Sequence, residues 1–147
     1  MDAFIAAVGP MAMGATTYRW ILDHENMLEN PHRWTDYYAD RPCWVFSHRE
    51  LPPIPGADLR FVRDDVAGVH AEMVAAADDR NIWLVGGGDL VGQFHDAGLL
   101  DQVLVSVAPV TLGAGAPLLP RRIENLRLTS VQQNGQFATL GYDVVRT

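Results

Sequence analysis

The chain has 147 residues, of which 48% are hydrophobic and 20% are charged, and it carries a net charge of −7 at pH 7. This composition excludes a disordered chain, and the length predicts a single globular domain over residues 1–147. The single cysteine excludes a disulfide framework, the acidic charge excludes nucleic acid as the main partner, and the absence of lysine excludes a lysine Schiff base and a P-loop.

Apolar patterning predicts helices and strands that alternate along most of the chain. The continuous apolar run at 43–46 is typical of a strand buried on both faces, and Val66, Val69 and Met73 recur at helical spacing. Asn134-Gly135 between two apolar runs predicts a tight hairpin. The alternation predicts an α/β fold with a mostly parallel sheet and an antiparallel C-terminal hairpin. In chain order, the predicted elements are a helix at 2–8 ended by Gly9-Pro10, a strand at 11–13, a helix capped by Thr16, a helical turn at 34–38, strands at 43–46 and 59–62, a helix at 65–78, a strand at 81–85, a helix at 89–97, a strand at 103–108, and hairpin strands at 126–133 and 136–145.

The segment 102–120 carries no charge and is long enough to resemble a membrane span. Pro109, Pro117 and Pro120 would break a helix drawn through it, so we expect a buried strand followed by a glycine-rich loop, and no membrane partner. The first residues lack the basic region of a signal peptide. Together with the single thiol, this indicates a cytoplasmic protein.

The glycine turn after the strand at 81–85 is the most informative segment for function. Gly86, Gly87 and Gly88 join a buried strand to a helix, and a helix start offers unpaired backbone N–H groups and a partial positive charge. A pyrophosphate can approach such a turn closely because no β-carbon stands in the way. The alternative is that Asp89 caps the helix and satisfies the same donors. The fingerprint G-x-G-x-x-G is not met, so we expect no standard Rossmann site.

A second strand end with groups suited to phosphate follows the strand at 11–13. Gly14 ends this strand, and the hydroxyls of Thr16 and Thr17 lie at the start of the next helix. The alternative is that Thr16 only caps that helix.

The third such strand end follows residue 46. Ser47, His48 and Arg49 combine a hydroxyl, an imidazole and a guanidinium, which suit a terminal phosphate monoester, although a solvated loop is the alternative. Ligands of open α/β sheets bind beyond the carboxyl ends of the strands. The three strand ends together therefore predict a ligand with several phosphates.

Other chemistry has little support in the sequence. The five histidines share no metal-ligand spacing, so we expect no metal site. No G-x-S-x-G elbow is present, and Cys43 lies in an apolar run typical of an inert core thiol. Residues 23–42 are expected to form mostly a long loop, and the aromatic residues Trp34, Tyr37 and Tyr38 either wall a pocket or pack under this loop. No catalytic residue is predicted.

Four segments, in the same order, resemble the dihydrofolate reductase superfamily, and in particular its branch of riboflavin-biosynthesis reductases. This branch includes the C-terminal domain of bifunctional deaminase-reductases. The segments are Met13-Gly14-Ala15-Thr16-Thr17-Tyr18, similar to M-G-R-x-T-Y; Val85-Gly86-Gly87-Gly88-Asp89-Leu90, similar to V-G-G-x-x-L; the stretch 97–102, similar to D-A-G-L-V-D-E; and the stretch 109–119, similar to P-V-x-L-G-x-G-x-P-L-F.

The resemblance implies a three-layer α/β/α fold, NADPH as cofactor and hydride transfer to a small pyrimidine- or pterin-like substrate. A homodimer through the antiparallel strands is also expected. The implied cofactor-binding residues are Gly14, Thr16, Thr17, Ser47, His48, Arg49, Val85, Gly86, Gly87, Gly88, Asp89 and Leu90, and the implied substrate-side residues are Leu112, Gly113 and Gly115.

Two features depart from the family pattern. Ala15 stands where the family has Arg or Lys, so Arg49 is expected to carry more of the phosphate contact. No segment resembles the family's first strand, so we expect that strand to be missing from this sequence.

The sequence thus predicts a reductase similar to the 5-amino-6-(5-phosphoribosylamino)uracil reductase of riboflavin biosynthesis. The alternatives are a non-catalytic nucleotide-binding homodimer on the same fold and a different nucleotide-binding α/β domain.

Overall fold

The computed structural model describes residues 6–63 and 65–146, and its strands and helices follow the predicted order closely. These residues form two units, one up to Val91 and the other from Gly92 onward, and the prediction of a single domain stays a prediction. The elements are β1 (Val8–Gly14), α1 (Ala15–His24), α2 (His32–Tyr38), β2 (Cys43–Phe46), β3 (Leu59–Val62), α3 (Val66–Ala77), β4 (Asn81–Gly86), α4 (Gly88–Asp96), β5 (Gln102–Val107), β6 (Leu126–Asn134) and β7 (Phe137–Val144).

The first unit contains a parallel sheet with the strand order β3-β2-β1-β4. The chain runs from β1 to β2 and β3 in one direction and then crosses back over the sheet to β4. Because such crossovers are right-handed, α1 and α2 cover one face and α3 covers the other. Met11 and Cys43 pair in β1 and β2 and are fully buried in the core formed with α1 and α2. Because β2, β1 and β4 are parallel neighbours in the sheet, their carboxyl ends lie side by side at the same edge.

The strand β1 starts earlier than the sequence predicted. The prediction of a helix that runs to residue 8 and ends at Gly9-Pro10 is wrong at its C-terminal end, because Val8, Gly9 and Pro10 belong to β1. Residues 2–5 of that helix lie outside the described residues. Pro10 is compatible with the strand because pairing with β2 starts at Met11, and the β1–β4 register is irregular between Val8 and Met11.

The predicted Thr16 cap is wrong. Helix α1 begins at Ala15, its N-cap is Gly14 in an extended conformation, and no side chain caps it. The strand therefore continues directly into the helix, which leaves Thr16 inside the first turn. By contrast, Asp65 caps α3 through a 3.0 Å hydrogen bond that its carboxylate accepts from the backbone N–H of Gly68.

The second unit contains an antiparallel sheet with the strand order β5-β7-β6. The hairpin around Asn134-Gly135 is confirmed, and Gly135 has the positive φ of +60° that such a turn favours. The α/β fold class, with parallel strands and an antiparallel hairpin, is confirmed. The described strands nevertheless belong to two sheets, since β5 pairs with β7 and with no strand of the parallel sheet.

Segment 102–120 forms a strand, β5, and then an irregular loop, as predicted. The expectation that this strand is buried is wrong, because the residues of β5 are exposed or half-buried. Over the described ranges, no helix combines the length and the hydrophobicity needed to cross a membrane. The same ranges hold no group of His, Cys, Asp or Glu side chains arranged to bind a metal ion.

Candidate functional site at the carboxyl ends of the parallel strands

The glycines that end β1 and follow β4 lie against each other. A β-carbon on Gly14 would lie 3.8 Å from the backbone nitrogen of Gly87 and 3.9 Å from the carbonyl oxygen of Gly86. β-carbons on Gly86 and Gly87 would lie 3.4 Å and 3.8 Å from Thr17 Oγ1. The sequence predicted both glycine segments separately, and the structure brings them together with Thr17. We call this cluster of Gly14, Thr17, Gly86 and Gly87 the glycine cradle.

The backbone of the glycine cradle suits residues without a β-carbon. Gly86 has φ +145°, which side-chain-bearing residues rarely adopt, and the Gly86–Gly87 peptide bond is cis. The strands β1 and β4 are neighbours, and each leads directly into a helix, α1 at Ala15 and α4 at Gly88. The N-termini of two helices, with their partial positive charges, therefore flank the cradle.

Asp89 does not occupy the N-cap position of α4. The carbonyl oxygen of Gly87 accepts a 3.2 Å hydrogen bond from the N–H of Val91, so the helix is already formed around Asp89. Asp89 is exposed in the first turn, whereas Leu90 is buried and Val85, in β4, is half-buried.

Ser47 organises the turn after β2 instead of presenting a free hydroxyl. Its side chain is buried, and its backbone N–H donates a 3.0 Å hydrogen bond to the carbonyl oxygen of Val62 at the end of β3. Its Oγ accepts a 3.0 Å hydrogen bond from the N–H of Arg49 and donates one of 2.8 Å to the carbonyl oxygen of Arg49. Both polar functions of the hydroxyl are used in this turn. As a result, His48 and Arg49 are the exposed members of the segment.

Arg63 is a further candidate, which no sequence motif indicated. Phe46 and Val62 are paired at the ends of β2 and β3, so Arg63 is the first residue beyond β3 on the edge that also carries the Ser47 turn. Arg49 and Arg63 are both exposed, and neither guanidinium forms a hydrogen bond or an ion pair with another residue within 6–63 and 65–146. In the sequence, Arg63 is only an arginine that directly follows a four-residue strand. Such arginines are common on solvated loops, so this position by itself does not indicate a binding site.

Tyr18 anchors the helix that supplies Thr17. Its hydroxyl donates a 2.6 Å hydrogen bond to the carbonyl oxygen of Pro52, and its ring makes edge contacts with Trp34 and Phe61. Burial, with a smaller contribution from Cys43, raises the pKa of Tyr18 above its ordinary value. Trp34 is fully buried in this aromatic core, so core packing is its use here rather than an open pocket wall.

Cys43 is an inert core thiol, as predicted. It is fully buried between Met11 and Leu59 in the parallel sheet. Burial, with a smaller contribution from Asp58, raises the pKa of its thiol to about 12. The reactive thiolate is therefore not available near neutral pH.

The substrate-side candidates lie in the second unit, in the loop between β5 and β6. Leu112 is 82% exposed there. Gly113 has φ +79°, and a β-carbon on Gly113 or on Gly115 would meet nothing within 4 Å. These three residues therefore share an open, irregular segment.

The chain matches the family described as the RibD C-terminal domain over residues 7–140. It is 28% identical over 141 residues to the uncharacterized protein YwjB of Bacillus subtilis (strain 168), and the aligned region spans 95% of this chain and 75% of that protein. It is also 46% identical over 39 residues to the uncharacterized protein YyaP of the same organism, which covers 26% of this chain and 21% of that protein.

Two solved structures share the fold. A proposed riboflavin biosynthesis protein from Shewanella sp. PV-4 superposes with a TM-score of 0.73 at 19% identity, over 99% of this chain and 79% of that one. A pyrimidine reductase-like protein from Corynebacterium diphtheriae superposes with a TM-score of 0.65 at 14% identity, over 99% of this chain and 81% of that one. At these identities the likeness establishes the fold alone.

Proposed function

The chain belongs to the RibD C-terminal domain family, and on that premise we propose that it is an NADPH-dependent reductase of a small pyrimidine- or pterin-like substrate. The family is of the riboflavin-biosynthesis reductase type, which makes 5-amino-6-(5-phosphoribosylamino)uracil or a related molecule the substrate to test first. A bound nicotinamide supplies the hydride in such a reaction, and the residues of this chain bind and orient it.

The glycine cradle is the observation that carries this proposal. Gly14, Gly86 and Gly87 leave the backbone accessible at the point where α1 and α4 begin. No side chain caps α1, so its first N–H groups are available to an anion. A pyrophosphate held by two helix N-termini fits this arrangement, because the helix partial charges and the backbone donors both favour negative charge there. We assign Thr16, Thr17, Gly88, Asp89, Leu90 and Val85 to the same part of the site.

Arg49 and Arg63 are the residues that we assign to the 2′-phosphate. The Ser47 turn holds the backbone of Arg49 at the end of β2, and Arg63 follows the neighbouring strand end. Two guanidinium groups on one sheet edge suit a phosphate monoester, because guanidinium binds phosphate oxygens through paired hydrogen bonds. This pair also compensates for Ala15, which carries no charge. His48 is exposed beside Arg49 and belongs to the same segment.

The substrate side of the proposal rests on the exposed loop of the second unit. Leu112, Gly113 and Gly115 match the family segment that borders the substrate, and their open surroundings leave room for a ligand. We propose that a planar heterocycle packs against Leu112.

Binding and turnover are tested separately. NADPH and NADH are titrated into the protein by calorimetry, and absorbance at the nicotinamide band is then followed with the aminouracil substrate and with dihydrofolate. The reductase proposal predicts tighter binding of NADPH than of NADH, and oxidation of NADPH with the aminouracil. Binding without oxidation by any candidate would instead support the non-catalytic nucleotide-binding module. A folded protein that binds neither nucleotide would overturn both.

A further inference from the structure

Trp20, on α1, is a tryptophan with one ring face open to solvent. Its side chain is 61% exposed, whereas Trp34 and Trp44 are buried and Trp83 is half-buried. The imidazole of His24 stacks on the indole, with ring centroids 4.4 Å apart and ring planes 11° from parallel. No other ring in the described part of the chain stacks on Trp20. One face of the indole is therefore covered by His24 and the other is open. We call this pair the Trp20–His24 stack.

The Trp20–His24 stack lies on the same stripe of α1 as Thr17 of the glycine cradle. Trp20 and His24 follow Thr17 by three and seven positions, and this helical spacing places the three side chains on one side of the helix. Thr17 faces Gly86 and Gly87. Helix side chains lean toward the N-terminus, and His24 covers the indole from the C-terminal side. The open face of the indole is therefore turned toward Thr17 and the glycine cradle.

The stack lies on the side of the site away from the arginines that we assign to the 2′-phosphate. The strand order is β3-β2-β1-β4; Arg49 and Arg63 follow β2 and β3, whereas Thr17 faces the turn after β4. A cofactor with its 2′-phosphate at the arginines and its pyrophosphate in the glycine cradle places its adenosine toward β3. A ring that contacts Trp20 therefore belongs to the reacting end of the site and not to the adenine.

The surroundings of the stack suit a small flat ring. Arg19 and Asp23, the preceding neighbours of Trp20 and His24 on α1, are charged and exposed. The apolar surface is thus confined to the rings, and it is far smaller than the roughly 800 Å² per partner of a stable protein interface. A planar heterocycle needs only one ring face, because stacking on an indole buries its apolar face and leaves its polar edges accessible.

On the premise of the reductase function above, we propose that Trp20 is the stacking surface for the planar heterocycle of the substrate. The nicotinamide is joined to a pyrophosphate that the glycine cradle holds, whereas the substrate ring has no such tether and needs a surface of its own. Hydride transfer requires the two rings to lie face to face. This leaves the second face of the substrate ring for the indole.

The test combines substrate kinetics with the accessibility of Trp20. KM and kcat for 5-amino-6-(5-phosphoribosylamino)uracil and for dihydrofolate, and the dissociation constant for NADPH, are measured for the unmodified chain, Trp20→Ala and Trp20→Phe. Tyr37→Ala is the matched control, because Tyr37 is an aromatic residue of α2 that is 56% exposed. Acrylamide quenching of tryptophan fluorescence reports mainly on Trp20, since the other three tryptophans are buried or half-buried. The quenching uses the unmodified chain, so it does not depend on the folding of a variant.

Trp20→Ala should raise the KM of the accepted substrate by about tenfold to a hundredfold, which is the cost of losing one stacked ring. Its dissociation constant for NADPH should stay near that of the unmodified chain. Trp20→Phe keeps a flat ring and should recover most of the substrate affinity, and Tyr37→Ala should behave as the unmodified chain. The accepted heterocycle should protect Trp20 from acrylamide, and NADPH alone should not.

An unchanged KM in Trp20→Ala overturns the proposal, as does full protection of Trp20 by NADPH alone, because the indole then contacts the nicotinamide. If a heterocycle is reduced without protecting Trp20, the reductase function stands and the stacking surface fails. If neither heterocycle is reduced but one of them protects Trp20, the stacking surface stands and the reductase function fails. The absence of both reduction and protection overturns both.

Discussion

Thr17 Oγ1 lies 3.4 Å from the position that a β-carbon on Gly86 would occupy, so the first turn of α1 faces the turn that follows β4. These residues are 69 positions apart in the sequence and belong to different predicted phosphate segments. Their proximity is a consequence of the strand order, in which β1 and β4 are neighbours. It makes the two segments one site, at which a single ligand can contact both.

Thr17→Val should weaken NADPH binding without unfolding the chain. Valine keeps the shape of threonine and removes the hydroxyl, which has no partner within 6–63 and 65–146. A hydrogen bond to a charged phosphate contributes about 1.5–3 kcal/mol, and this is the expected loss in binding free energy measured by calorimetry. Thr17→Ser keeps the hydroxyl and serves as the control. Equal affinities for all three proteins would remove Thr17 from the site.

Gly14→Ala tests whether a ligand approaches the glycine cradle closely. The new methyl group would lie 3.8 Å from its nearest protein neighbour, which is ordinary contact, so the fold accommodates it. A pyrophosphate against the backbone would meet this methyl group, and we expect NADPH affinity to fall by about tenfold or more. Gly68→Ala in α3 is the matched control, with a nearest neighbour at 3.7 Å, and should bind NADPH normally. Unchanged affinity in Gly14→Ala would contradict close approach at this residue.

Arg49→Ala and Arg63→Ala should each weaken NADPH by about 1–3 kcal/mol and NADH little, because only NADPH carries the 2′-phosphate. Dissociation constants for both nucleotides are measured for each variant. Arg122→Ala is the control, since Arg122 is an exposed arginine of the second unit whose ion pair with Glu124 is local. If an arginine variant loses NADPH and NADH affinity equally, its guanidinium does not read the 2′-phosphate.

Tyr18→Phe should destabilise the first unit. The change removes the hydrogen bond to the carbonyl oxygen of Pro52 and leaves that acceptor with one partner fewer, for an expected loss of about 1–2 kcal/mol in the free energy of unfolding. Tyr37→Phe is the matched control, because Tyr37 is exposed and its 3.4 Å bond to Glu25 is weak. Urea denaturation measures both. If Tyr37→Phe lowers the free energy of unfolding as much as Tyr18→Phe does, the hydrogen bond from Tyr18 to Pro52 is not the cause of the destabilisation.

Stability should fall at alkaline pH through Cys43. Its thiol has a pKa of about 12 when folded and about 9 in its ordinary state. Above the ordinary value the unfolded chain has lost this proton while the folded chain keeps it, so the free energy of unfolding decreases as pH rises from about 9 to about 12. Below pH 9 the thiol contributes no slope. Cys43→Ala should make this part of the profile, measured by urea denaturation, less steep, and the slope that remains comes from Tyr18, whose pKa is also raised in the folded chain. A profile identical to that of the unmodified chain would rule out the thiol as a source of the slope.

Local patterns predicted most of the elements. The strand at 59–62 has the predicted bounds, and Cys43–Phe46 lies buried in the sheet as its continuous apolar run indicated. The errors occurred where a local signal competed with pairing. Gly9-Pro10 is typical of a helix end, yet it lies in β1, between the pairs Val8–Asn81 and Met11–Trp83 that β1 forms with β4. Threonine often caps helices, but this helix begins at Ala15, so its N-cap is Gly14 and Thr16 lies within the first turn.

Apolar periodicity, turn residues and motif spacing are properties of short segments, and they were enough to predict most element types, the hairpin at Asn134-Gly135 and the family of the chain. The proximity of Gly14 and Gly87, the use of the Ser47 hydroxyl by Arg49, and the position of Arg63 on the same edge as Arg49 follow from the tertiary structure. These relationships depend on which strands are neighbours. Strand order results from packing between residues far apart in the chain, so no local pattern encodes it.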